Sequence, residues 1–144
     1  MAATYDFNWA QGEDKILAMV YKSGPVGESE PVDLGNHKLR MDIVAADARV
    51  LVVANDETIT DADPYTAGSQ ADSDFEVTMS GTGDIRIELS RALTLPGGAL
   101  YKYITANPPI RVFSYDIFLR DAFGKQKKIM QGTITIERSV THWL

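Results

Sequence analysis

The chain contains no cysteine and only two histidines among its 144 residues. The lack of cysteine excludes disulfide bonds, thiolate metal sites and cysteine nucleophiles, and it is typical of proteins that fold in a reducing compartment. No apolar run reaches the roughly 18 residues that a membrane-spanning helix needs, and residues 1–6 lack the basic and apolar segments of a secretory signal peptide. We therefore expect a single domain over residues 1–144 that is made in the cytoplasm and has no membrane partner.

Motifs that carry chemistry are also missing. The two histidines, His37 and His142, do not have the short spacing of a metal site. No nucleophile elbow, phosphate-binding loop or dinucleotide fingerprint accompanies them. We interpret His37, which follows Gly35 and Asn36, as a polar loop residue. The sequence thus predicts no enzymatic activity, no cofactor and no metal centre.

Positive charge is scarce in the first part of the chain. The net charge is -6, which argues against binding to a nucleic-acid backbone. Residues 1–85 carry 16 acidic and 5 basic residues, whereas residues 86–144 carry 4 acidic and 9 basic ones. If the two signs reach different faces, copies of the chain would attract one another head to tail, as in a ring. If folding interleaves them, the acidic run is a solvated loop, which is the usual state of such runs.

The acidic excess is concentrated between Arg49 and Arg86, where no basic residue occurs. Within it, residues 55–73 show no periodicity, which is typical of a long functional or mobile loop. Its carboxylates two residues apart are the oxygen ligands that calcium takes, but the order of a helix–loop–helix calcium site is absent. A bound cation and a solvated loop both remain open, and the solvated loop is favoured. The acidic residues are Asp56, Glu57, Asp61, Asp63, Asp72, Asp74, Glu76 and Asp84.

What the chain does contain is a series of short segments in which apolar and polar residues alternate. In a strand, such a period of two puts the apolar side chains on one face and the polar side chains on the solvent-exposed face. Residues 121–124 and 80–84 resemble the tight turns that join neighbouring strands. Helical signal is confined to residues 90–95. The segments are 39–43, 75–79, 85–89, 111–120 and 128–138. In 111–120, one face carries Phe113, Tyr115, Ile117 and Leu119, and in 128–138 Ile134 and Ile136 share a face.

Two further segments, residues 16–21 and 50–53, are continuously apolar, which predicts strands that are covered on both faces. Residues 23–36 are predicted to be a loop. Together these strands and turns predict an all-β fold, an immunoglobulin-like antiparallel β-sandwich of about seven or eight strands.

Aromatic residues at the two ends of the chain are candidates for an interface. Tyr5, Phe7 and Trp9 alternate near the start, and Trp143 is the penultimate residue. Because chain ends fray unless they are anchored, we expect these residues to pack either on the sandwich itself or on a neighbouring subunit. We further expect the basic hairpin around Lys125, Lys127 and Lys128 to meet the acidic loop of another copy.

Several motifs occur in a particular order along the chain. They are Gln11-Gly12-Glu13-Asp14, the apolar strand 16–21, Pro31-Val32-Asp33-Leu34-Gly35, the strand 39–43, Leu89-Ser90, Leu95-Pro96-Gly97-Gly98, residues 115–121 and Gly132-Thr133-Ile134-Thr135-Ile136. Their order resembles that of the immunoglobulin-like modules of tailed-bacteriophage tails and baseplates. The resemblance covers residues 6–140, and the acidic insert is longer than in that family.

This resemblance implies a structural subunit of the virion that is made in the host bacterial cytoplasm. In it, the chain would form a ring or collar at the distal tail or baseplate and anchor tail fibres. Its partners would be other copies of itself, tail-tube or baseplate proteins and tail-fibre proteins. A baseplate or head decoration protein and a carbohydrate- or receptor-binding module are the alternatives.

Overall fold

The computed structural model describes residues 3–24, 27, 29–45, 48–55 and 75–139. The regular structure in this part is mostly strand, and neither of its two four-residue helical segments could cross a membrane. The elements are β1 Ala3–Thr4, β2 Phe7–Ala10, β3 Lys15–Val20, β4 Lys22–Ser23, β5 Glu30–Pro31, β6 Lys38–Ala45, β7 Ala48–Ala54, β8 Phe75–Met79, β9 Asp84–Leu89, a 3₁₀ turn Arg91–Thr94, helix α1 Tyr101–Ile104, β10 Val112–Arg120 and β11 Gln126–Glu137.

The strands form two main sheets. The larger sheet has the order β1-β11-β10-β6-β7, with β2 also paired to β11, and the smaller sheet has the order β3-β9-β8. All neighbours are antiparallel except β1 and β2, which run parallel to β11. This division of strands between two sheets is that of an immunoglobulin-like sandwich, so the predicted fold class is confirmed. Eight of the strands in the described part have four or more residues.

The core lies between the two sheets and follows the alternation in the sequence. Phe113, Tyr115, Ile117 and Leu119 of β10 all point inward and are buried, and Ile134 and Ile136 of β11 do the same. From the smaller sheet, alternate residues of β9 complete the opposite wall of this cluster. Both faces predicted from the period of two are confirmed.

The two continuously apolar segments have different environments. Residues 50–53 of β7 are all fully buried, as expected for a strand covered on both faces. The same prediction is wrong for residues 16–21, because Ile16 is 45% exposed and Val20 is 51% exposed. The reason is that β3 lies at the edge of the smaller sheet and turns one face toward solvent. Apolar character alone does not distinguish a covered strand from an edge strand.

Two predicted turns are confirmed. At residues 121–124, the Asp121 carboxylate accepts hydrogen bonds from the backbone N–H groups of Phe123 and Lys125, both at 2.9 Å. Gly124 completes this turn with a φ of 86°, a conformation that glycine adopts without a steric cost. Residues 80–84 connect β8 to β9. The predicted loop at residues 23–36 is partly wrong, since β5 lies inside it and pairs with β4.

The N-terminal strand is anchored over a glycine. Register places Tyr5 beside Gly132 between the β1 and β2 pairings, and the Tyr115 hydroxyl donates a hydrogen bond to the Tyr5 carbonyl. A Cβ on Gly132 would lie only 2.0 Å from that carbonyl oxygen, so only glycine fits there. The Asp6 carboxylate adds a 2.9 Å bond from the backbone N–H of Thr133. Burial, followed by the charge of Asp6, raises the pKa of Tyr115 to about 12, so its hydroxyl remains a donor at neutral pH.

Replacing Gly132 by alanine is expected to displace the N-terminal strand, because the added methyl overlaps backbone atoms that cannot rotate away. We expect Gly132→Ala to lower the free energy of unfolding by about 1–3 kcal/mol, the usual cost of overpacking. Urea denaturation followed by tryptophan fluorescence measures this change. Gly81→Ala is the matched control, because its Cβ meets only the Asp33 carboxylate at 3.4 Å. Equal stability of the two variants would contradict the proposed anchoring.

Candidate interaction surface

The outer face of the larger sheet carries two opposed carboxylates. Asp42 of β6 is the direct cross-strand neighbour of Asp116 of β10. Arg40 holds Asp42 from one side, with its Nε 2.7 Å from Oδ1, and Arg49 approaches from the other, with its Nε 3.4 Å from Oδ2. Lys128 of β11 lies 3.8 Å from the Asp116 carboxylate. The two acids are thus enclosed by three cations from three different strands.

The environment of Asp116 disfavours its charged form. Burial raises the pKa of the Asp116 carboxyl above its usual range, and the neighbouring Asp42 carboxylate raises it further, whereas Lys128 and Arg40 act in the opposite direction. Two carboxylates placed directly opposite each other repel, and partial burial weakens their hydration.

Two shallow depressions lie on this face and share Asp42 and Asp116. One is a groove of about 310 Å³ toward the β10–β11 turn, and its lining includes Phe118, Arg120 and Gln126. Lys128 lies over the Phe118 ring, with its Nζ 5.7 Å from the ring centroid. The other depression, of about 640 Å³, extends across β10 and β11 to Asp6 of the N-terminal segment. We call this whole surface the charged face.

The charged face has the opposite sign to the protein as a whole. On the described strands, cations outnumber acids on this face, although the net charge of the chain is -6. The two depressions are open and share two lining residues, and their linings mix polar and apolar side chains, which suits a protein surface better than a small-molecule cavity. The cations are Lys38, Arg40, Arg49, Arg120 and Lys128, and the acids are Asp6, Asp42 and Asp116.

The lysines of the predicted basic hairpin do not all lie on the charged face. Lys128 opposes Phe118 and lies on the charged face, whereas Lys127 opposes the buried Leu119 and so points to the other side of the sheet. Lys125 lies in the turn. Of the two strand lysines, only Lys128 therefore lies on the charged face, because consecutive residues of a strand point to opposite faces. The predicted contact of this hairpin with the acidic loop of another copy stays a prediction.

The aromatic residues near the start of the chain, predicted to be interface candidates, also differ in their environment: two are buried and one is exposed. Phe7 and Trp9 are buried in the core of their own chain, and the Trp9 indole donates to the Glu13 carbonyl at 2.6 Å. Packing on the sandwich itself is therefore correct for both, and neither is available to a neighbouring subunit. Tyr5 is 48% exposed and stacks on Phe7 with ring centroids 5.8 Å apart.

The remaining predicted site residues lie outside the described residues. They are Asp56, Glu57, Asp61, Asp63, Asp72, Asp74 and Trp143, together with the second histidine. Among residues that are described, no group of three or more His, Asp or Glu side chains could hold a metal ion. His37 is half-buried, and its Nδ1 has no hydrogen-bond partner in the described part of the chain.

Comparison with known proteins returns no matching family model and no matching curated protein. Two similar solved structures are the ZIG-8–RIG-5 IG1–IG1 heterodimer in its monoclinic form and the titin M3 domain. The first is 12% identical over 95% of this chain and 83% of that one, with a TM-score of 0.44. The second is 9% identical over 95% and 92%, also with a TM-score of 0.44. The strand order described above, rather than these likenesses, carries the fold assignment.

The opposed acids give the charged face a measurable pH dependence. Because folding raises the pKa of Asp116, the folded state binds more protons than the unfolded one just above pH 3.8, and this carboxyl destabilises the fold as pH rises through that interval. We expect Asp116→Asn to match the wild-type Tm near pH 3 and to exceed it near pH 7. Thermal unfolding followed by circular dichroism across this range tests the sign.

Asp42→Asn is the matched control, because that carboxylate is paired with Arg40 and Arg49. Its loss is expected to lower stability by roughly 0.5–1 kcal/mol at neutral pH, the size of a partly exposed ion pair. A destabilised Asp116→Asn variant at pH 7 would show instead that attraction to Lys128 outweighs burial and repulsion.

Proposed function

We propose that this protein is a structural assembly subunit that binds other proteins through the charged face. The observation that carries the proposal is the cationic excess of that face on an acidic chain. The stretch between Arg49 and Arg86 holds eight acidic residues and no basic one, so its charge complements the charged face of another copy. A contact between two different surfaces is heterologous, and repetition of such a contact about an axis gives a ring.

We further propose that the ring is part of a bacteriophage tail, as the motif order implies. There the protein would be a collar or baseplate subunit of the virion that anchors tail fibres. Support for this assignment comes from the resemblance of residues 6–140 together with the immunoglobulin-like strand order. A sandwich suits the task because its loops lie at the two ends and its sheet faces stay free for neighbouring subunits.

The proposed location is tested on purified tailed-phage particles whose genome encodes this chain. We expect mass spectrometry to detect the chain in the particles, and immunogold labelling to place it around the distal tail. If the protein is absent from the particles, the tail proposal is wrong. Binding of the isolated protein on a glycan array would then favour the carbohydrate- or receptor-binding alternative, and label on the capsid would favour a head decoration protein.

The role of the charged face is tested with a pair of adjacent lysines. Lys128→Glu reverses a charge on this face, whereas Lys127→Glu reverses the same charge on the opposite side of the strand. We expect the first variant to reduce incorporation into tails about tenfold, and the second to behave like the wild type, because only the first opposes acidic residues of a neighbour. Equal incorporation of both variants would exclude the charged face as the assembly surface.

A further inference from the structure

Strand β3 has one edge with no partner in the described part of the chain. It pairs only with β9, as the outermost strand of the smaller sheet. Next to it, Tyr21 donates its N–H to the Gly83 carbonyl at 2.8 Å and accepts from the N–H of Val32 at 3.0 Å. Both backbone groups of Tyr21 therefore point toward the β9 side. Since these groups alternate along an antiparallel strand, the residues whose N–H and C=O groups point to the open edge are Ile16, Ala18 and Val20.

In the described part of the chain, the middle of this edge lacks the usual protections against pairing. Natural sheets protect their edges with charged residues, proline or a bulge. The only charged residue of β3 is Lys15 at its first position, which shares a face with the buried Leu17 and has its Nζ 5.5 Å from the centre of the Phe7 ring. From Ile16 to Tyr21 there is no charged residue and no proline. The register between β3 and β9 is regular from Lys15 to Val20, so there is no bulge. Ile16, Ala18 and Val20 also form an exposed apolar row on the outer face.

We propose that β3 pairs antiparallel with β3 of a second copy of this chain, about a two-fold axis at Ala18. In this register Ala18 faces Ala18 of the other copy, and Ile16 faces its Val20. The row is therefore self-complementary, with a small residue at the axis and branched residues on either side, as an isologous contact requires. Each of these pairs would exchange both of its backbone hydrogen bonds.

Charge selects this register. Pairing about Ala18 places Asp14 of one copy opposite Lys22 of the other, and the two-fold axis repeats this pair at the other end. A slip of two residues would place Asp14 opposite Val20, or Lys22 opposite Ile16, so that each charge faces an apolar side chain. The Asp14 Oδ1 accepts a hydrogen bond from the backbone N–H of Arg91 at 2.8 Å, and its Oδ2 lies 3.7 Å from the Arg91 guanidinium. Because the Asp14 side chain is 48% exposed, a lysine of a second copy can approach it as a further partner.

The pairing would join two smaller sheets into one continuous sheet of six strands. It uses the smaller sheet, on the other side of the sandwich from the charged face, and it does not depend on the proposed function. A two-fold contact closes a dimer, whereas the charged face serves a head-to-tail contact. Because so few residue pairs take part, we expect a weak dimer with a Kd roughly in the micromolar to millimolar range.

The test uses two opposite charges at the axis. Ala18→Lys and Ala18→Glu each place like charges directly opposite one another in the dimer, and each is expected to weaken self-association about tenfold. A mixture of the two variants should associate at least as well as the wild type, because every axis then carries one lysine and one glutamate. Sedimentation equilibrium on the full chain measures all three cases, and Val112→Lys, an exposed apolar position on the larger sheet, is the matched control.

The register has its own test. Lys22→Asp places an acid opposite Asp14 at both ends and is expected to weaken the dimer about tenfold, whereas the combined variant Asp14→Lys, Lys22→Asp is expected to restore it. A wild-type protein that stays monomeric up to about 1 mM overturns the proposal. So does a dimer that is unaffected by Ala18→Lys, or a mixture of the Ala18 variants that does not associate.

Discussion

Strand β10 lies between β6 and β11, and the alternation of its side chains separates the core from the charged face. Phe113, Tyr115 and Ile117 point into the core, while Asp116 and Phe118 point to solvent on the other side. A slip of one residue in its pairing would exchange these two sets, burying the charges and exposing the aromatic rings. The position of the charged face is therefore fixed by the same hydrophobic burial that holds the two sheets together. The hydroxyl of Tyr115 extends this control to the N-terminal strand, which it anchors beside Gly132.

The two surfaces proposed for assembly differ in the force that they offer a partner. The charged face offers long-range attraction, which falls with ionic strength and speeds the encounter of oppositely charged surfaces. The open edge of β3 offers backbone hydrogen bonds and apolar contact, which act only at short range and demand a defined register. A subunit with both kinds of surface can form a heterologous and an isologous contact at once, because the two lie on different sheets.

Sequence and structure agree where a property depends on neighbours along the chain. The period of two in residues 113–119 predicted the buried face of β10, and Asp121 with Gly124 predicted the turn that follows it. They disagree where a property depends on distant residues. The run 16–21 was expected to be covered on both faces, but its strand became an edge. Likewise, the local excess of lysine at the hairpin does not tell that Lys127 and Lys128 point to opposite sides of the sheet, which follows from their pairing with β10.

The sequence by itself determined the all-β class, the positions of most strands and the segregation of acidic and basic residues along the chain. Each of these properties depends on residues that are near one another in the chain. Only the tertiary structure decided that Asp42 would face Asp116, since that contact depends on the register between β6 and β10, whose residues are far apart in sequence. The same holds for Phe7 and Trp9, which belong to the core because β2 pairs with the last strand. Pairing between distant strands depends on the total apolar surface that the two sheets bury against each other. No pattern within a single segment of the sequence contains that information.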